Sequence, residues 1–212
     1  MVTQSPEVVN SVPGRTLTQP DWLSARIAEM GHSWGTTSPR IAGTLWWCMV
    51  ASALVEQIAR AYAQGEPAAE PVLDRFDCEI RPDGGVERIQ VLAEPDEGTA
   101  PGAALRETLA AVIGPVAEAS GAGVPSLWAI VADAVGNRAL DAGSADAGAR
   151  LASEIGGKLP VPRFVEIGGR TFVKRISCCL VFEVPGCEMC TSCPKRPAAE
   201  REAMLERLAT ES

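Results

Sequence analysis

Residues 39–63 read PRIAGTLWWCMVASALVEQIARAYA. Trp47, Val50, Leu54, Ile58 and Tyr62 recur in this stretch every three or four positions, which lines them along one face of an α-helix. The unbroken apolar run from Ile41 to Val55 is 15 residues long before Glu56 and Arg60 interrupt it. A membrane-spanning helix needs roughly 20. The stretch therefore predicts a long, buried core helix and no membrane span, with Trp46, Trp47 and Cys48 as packing residues. At 212 residues and 46% apolar content the chain can bury a real core as one compact domain, without disulfides.

Upstream, residues 1–20 are rich in Pro, Ser, Thr and Gln and lack the basic start and apolar centre of a secretory signal. They read as a flexible arm on a cytoplasmic protein. His32, in GHSW, reads as a plain loop histidine before a substrate contact. Downstream, VLDRFDCEI and VERIQVLAE flank an Asp-Gly turn and predict a β-hairpin near residues 72–93, with charges alternating on its outer face. Cys78 shares a face with Phe76 and Ile80 there, the place of a buried thiol. Helices are predicted over 102–120, 126–140 and 145–155, with Gly114-Pro115 kinking or dividing the first. RFVEI and RTFVKRIS around Gly168-Gly169 predict a second hairpin, and residues 197–209 a short helix with Met204, Leu205 and Leu208 on one side. The fold class is α+β, mainly helical with small antiparallel hairpins and a C-terminal cysteine-rich segment. Its parts are the arm (1–20), a mainly helical part (21–157) and the cysteine-bearing segment (158–212).

That segment, CCLVFEVPGCEMCTSC (178–193), holds five of the seven cysteines. In a reducing compartment such a cluster reads as metal ligands or catalytic thiols before disulfides. Leu180 to Val184 can run out as a strand of roughly 16 Å, turn at Pro185-Gly186 and return Cys190 and Cys193 to the side of Cys178 and Cys179. Neighbouring strand side chains point to opposite faces. Cys178 and Cys179 can thus serve one site only if the chain leaves strand geometry or if they reach different metal atoms. The second option favours [2Fe-2S] over a single zinc, whose ligand pairs are usually two to four residues apart. Cys187, Cys190 and Cys193, followed by Pro194, partly match the bacterial [4Fe-4S] run, which makes Cys187 an alternate ligand. A Rieske centre needs two histidines, and the chain has one.

The Cys-Cys-x10-Cys-x2-Cys spacing, with FVKRIS before it and CCLVFEVPG within it, resembles the FhuF-like ferric-siderophore reductases. LWAIVADAVGNR (127–138) and SPRIAGTLWW share the resemblance more weakly. It implies that Cys178, Cys179, Cys190 and Cys193 ligate a [2Fe-2S] cluster, with Cys187 outside the pattern. It implies a cytoplasmic enzyme that takes an electron from a ferredoxin or flavoprotein and reduces a ferric hydroxamate siderophore, residues 21–157 facing that substrate.

Charge adds a local feature. Residues 158–196 hold seven Lys or Arg against three Glu, a net of +4 in a chain of net −8. Lys174, Arg175, Lys195 and Arg196 are candidates for docking donor or substrate, and Trp128 for lining the substrate face; solvated edge charges and a core tryptophan are the plainer readings. The acidic remainder argues against nucleic acid and would admit a neutral or cationic iron complex. No phosphate-binding glycine motif is present, and one histidine builds no Ser-His-Asp triad. Two other functions use the same thiolates: a zinc-stabilised interaction module and an iron-sulfur redox sensor.

Overall fold

The computed structural model describes residues 10–211 apart from 93, 96, 97 and 99. Strand β1 (Asn10–Pro13) and a 3-10 turn (Gly14–Thr18) lead into helices α1 (Pro20–Trp34) and α2 (Pro39–Gln64). Strands β2 (Phe76–Ile80) and β3 (Val86–Val91) follow, then α3 (Pro101–Ser120), α4 (Val124–Asp141) and α5 (Ala145–Ile155). The chain ends with β4 (Phe164–Ile167), β5 (Arg170–Val173), a 3-10 turn (Val181–Glu183) and α6 (Ala198–Thr210).

Proline in the first turn and glycine just past the last turn delimit several of these helices. Pro20, Pro39 and Pro101 occupy first positions, where a missing N–H costs nothing, and Gly35, Gly65 and Gly121 end α1, α2 and α3 in left-handed geometry. α2 is the axis of the body. It packs against α1, α3, α4, α5 and β3. By length and composition it is apolar enough to cross a membrane, yet 72% of its most apolar window is buried within the protein. Trp46 and Trp47 are fully buried and donate their indole N–H groups to Gly84 O and Leu127 O, both at 2.9 Å. The second bond ties α2 to the start of α4.

Two expectations are corrected. Residues 10–20 are not a loose arm: β1 pairs antiparallel with β2 as an edge of the sheet β1-β2-β3, an edge position where Pro13's missing N–H is tolerated. Residues 1–9 lie outside the described part, as does Ala93 at the end of the predicted hairpin. GHSW is helical, so exposed His32 sits in the last turn of α1 and not in a loop. Of the two outcomes expected at Gly114-Pro115, division does not occur: α3 runs on through Pro115, with Leu109, Val112, Ile113, Val116 and Ser120 holding one face of the helix in the core. Cys78 is fully buried beside Phe76 and Ile80, as the alternation predicted.

Candidate metal centre

The site begins on α4. Gly136 lets β5 lie against this helix: a Cβ there would come within 2.9 Å of Val173 Cγ2. One turn earlier on the same face stands Asp133, only 4% exposed. Its Oδ1 accepts from Ile176 N at 3.0 Å, and its Oδ2 accepts from Ser177 N at 2.9 Å, Ser177 Oγ at 2.5 Å and Arg175 Nε at 3.4 Å. A buried carboxylate needs such partners. The result is that three consecutive residues before the first cysteine are fixed to one helix.

The chain then turns sharply. Leu180 has φ +63°, the one positive φ outside glycine among the described residues. A leucine in that region costs of order 1–3 kcal/mol, a strain kept where the surroundings impose it. The bend lets Leu180 N–H donate to Cys178 Sγ and Val181 N–H to Cys179 Sγ. The expected strand from Leu180 to Val184 is therefore absent, replaced by a bend and a 3-10 turn. Two adjacent thiols cannot turn inward from a regular strand, and this departure is how the chain brings them in. Pro185-Gly186 forms the predicted turn, with Gly186 at φ +78° and Cys187 N bonded to Val184 O at 3.1 Å.

Arginines hold the returning arm. Arg196 Nη2 donates to Met189 O at 2.5 Å, while Arg201 Nη1 on α6 donates to Cys193 O at 3.4 Å and Arg196 O at 3.1 Å. The thiols meet two by two. Cys178 Sγ lies 3.8 Å from Cys193 Sγ, and Cys179 is hydrogen-bonded to Cys190. Metal–thiolate bonds of about 2.3 Å in tetrahedral geometry place two sulfurs about 3.8 Å apart, so the first pair already has the spacing of ligands on one metal. Among the described residues no three His, Cys, Asp or Glu side chains converge as around a single ion. All seven cysteines are free thiols.

Electrostatics distinguishes the thiols. The hydrogen bond from Cys190 leads in lowering Cys179 to about 5, helped by Val181 N–H and Arg175, while the same bond and burial push Cys190 up. Burial raises Cys178. Arg175 Nη1 reaches Cys190 Sγ at 3.5 Å. Burial opposes its charge, but Asp133 and the neighbouring sulfurs outweigh that and raise its pKa. Cys48 on α2 is pushed up to about 12 by burial and feels the charges of Arg175, Cys179, Asp133 and Cys178, which places it behind the site.

Residues 175–195 match the family model described as the FhuF 2Fe-2S C-terminal domain. Over those residues the cysteine segment is similar to that domain. Its cofactor is a [2Fe-2S] cluster, and thiols meeting in two pairs suit two irons. A search of curated proteins gives no match for the chain.

The docking candidates separate around this cysteine segment. Lys195 is exposed at its edge, 5.4 Å from the Phe182 ring. Arg175 is instead a largely buried partner of Asp133, with its side chain 16% exposed. Arg196 is spent on Met189 and Glu200. Lys174 lines a separate cavity beside α6 with Arg201 and Leu205. Trp128 is 4% exposed, as the core reading has it, and lines another cavity with Arg106 and Lys158. Cys187 is half-buried against the core at the end of the turn. Two residues escaped the sequence reading. Asp133 had a signal, a carboxylate inside the apolar run LWAIVADAV. Arg40, which bonds Glu183 Oε2 at 3.0 Å and so ties α2 to the cysteine segment, had none.

Proposed function

We propose that this chain is a cytoplasmic ferric-siderophore reductase acting on hydroxamate-type complexes, with a ferredoxin or flavoprotein as electron donor. The observation that carries the reading is the meeting of Cys178 with Cys193 and of Cys179 with Cys190 in a segment similar to the FhuF 2Fe-2S domain. These four thiolates would hold the cluster, and Cys187 stands outside the set. When bound and reduced, the cluster supplies one electron. The substrate needs one: siderophore Fe(III) is a hard ion in an oxygen cage, and Fe(II), its one-electron product, is a poorer match for that cage and leaves it.

The chain's own residues prepare the site. Arg175 and the N–H groups of Leu180 and Val181 place positive charge and donors against the sulfurs, which favours the more negative, reduced state. Asp133 orients Arg175.

The test is anaerobic purification followed by visible absorption, electron paramagnetic resonance before and after dithionite, and iron and sulfide assays. Equal iron and sulfide with an S = 1/2 signal on reduction, and Fe(II) released from a ferric hydroxamate, are expected. Cys178→Ser and Cys193→Ser should abolish both the absorption and the reduction, whereas Cys187→Ser should keep them. Zinc without sulfide, in protein never exposed to oxygen, would replace the reductase with a structural module.

A further inference from the structure

A cleft of about 430 Å³ opens beside the cysteine segment, between α2, the start of α4 and the returning arm. Cys178 is the one thiol on its wall. Its charged lining residues, among those described, are both cations: Arg40 from α2 and Lys195 from just beyond Cys193. Both are exposed. Glu183 engages one nitrogen of Arg40 and is not among the lining residues. Thr44, Ser126 and Ala129 complete a wall of small side chains. A cavity of this size takes the iron-bearing face of a compact chelate and leaves the remainder in solvent.

We infer that this cleft is the docking site for the iron complex, and that it selects oxygen-ligated ferric chelates that are neutral or anionic over cationic ones. The inference rests on the reductase reading and adds where the substrate sits and what charge it carries. It reverses the expectation drawn from the net charge of −8, because the substrate meets the charge of the cleft and not that of the whole surface. Carbonyl and carboxylate oxygens on the chelate rim face the donors of Arg40, Lys195 and Ser126. An ammonium group on the same rim faces two like charges.

Gallium(III) complexes test binding apart from redox chemistry, since gallium has the charge and nearly the size of ferric iron but is not reduced. The probes are two gallium complexes of one linear trihydroxamate, its terminal amine free in one and succinylated in the other, titrated calorimetrically into the oxidised holoprotein. The anionic complex should bind at least about threefold more tightly, the range of an exposed charge pair. Lys195→Glu should erase or invert that preference, and Ser126→Trp should weaken both complexes about tenfold, the visible cluster absorption unchanged in each.

Equal affinity of the two complexes for the wild type, or Lys195→Glu and Ser126→Trp proteins that bind as the wild type does, overturns the cleft. In that case the reductase reading survives so long as the wild type reduces the ferric forms. A wild type that loads its cluster and reduces neither ferric form overturns the reading beneath the inference as well.

Discussion

A buried carboxylate that accepts from Arg175, Ile176 and Ser177 at once, as Asp133 does, fixes a loop more firmly than any one of those bonds would. Removing it leaves an arginine and a serine without their partner in a largely dry site, a loss of roughly 3 kcal/mol or more. Asp133→Ala should therefore keep the helical circular dichroism but lower the urea midpoint and yield protein with well under half the wild-type iron and sulfide. Asp133→Asn, which can still accept from the backbone but cannot balance Arg175, should fall between the two. Equal cluster loading in wild type and Asp133→Ala would show that the anchor plays no part in assembly. The position was visible in the sequence as a charge in an apolar helix, but its partners lie more than forty residues away, and no local pattern names them.

At the scale of elements, what could be read was what repeats locally. The apolar spacing of α2 and the alternation of β2 found their elements, and α5 spans the residues 145–155 that its pattern predicted. What could not be read depends on distant partners: β1, four residues long, is a strand because β2 is beside it, and the bend at Leu180 exists because two adjacent thiols must face one place. Burial in β2 also makes a pH-dependent contribution. Cys78 is pushed up to about 12 from an ordinary 9.0 by burial. The unfolded thiol thus ionises where the folded one cannot, so its contribution is intact below pH 9 and is lost as pH rises from 9 to 12. Between pH 8 and pH 10, Cys78→Ala should lose about 1 kcal/mol less unfolding free energy than the wild type, as read from urea titrations at the two pH values.

The whole molecule divides its labour unevenly. Of the buried residues in the main hydrophobic cluster, Leu180 and Val184 alone come from beyond residue 157; the rest belong to the helices, the three-stranded sheet and their connections. Stripping the cluster with a chelator should therefore leave the far-ultraviolet dichroism and a cooperative thermal transition, while amide exchange quickens between residues 175 and 196. A loss of helical signal in step with loss of iron would mean that the cofactor holds up the body. Charge is divided as well, and a net value of −8 conceals a segment at +4. The overall charge therefore says little about what the cysteine segment meets.

One feature of α4 reaches further than anchoring. The helix carries Asp133, which holds the start of the cysteine loop, and, two turns earlier, Ser126, on the wall of the cleft. Seven residues of α-helix span about 10.5 Å, and the hydrogen bond from Trp47 to Leu127 O clamps the near end. Cleft wall and loop anchor thus ride on one stiff rod and keep their spacing while the loops around them fluctuate. On the proposed reading α4 is a common mount, on which a chelate seated in the cleft would keep its register with the sulfurs.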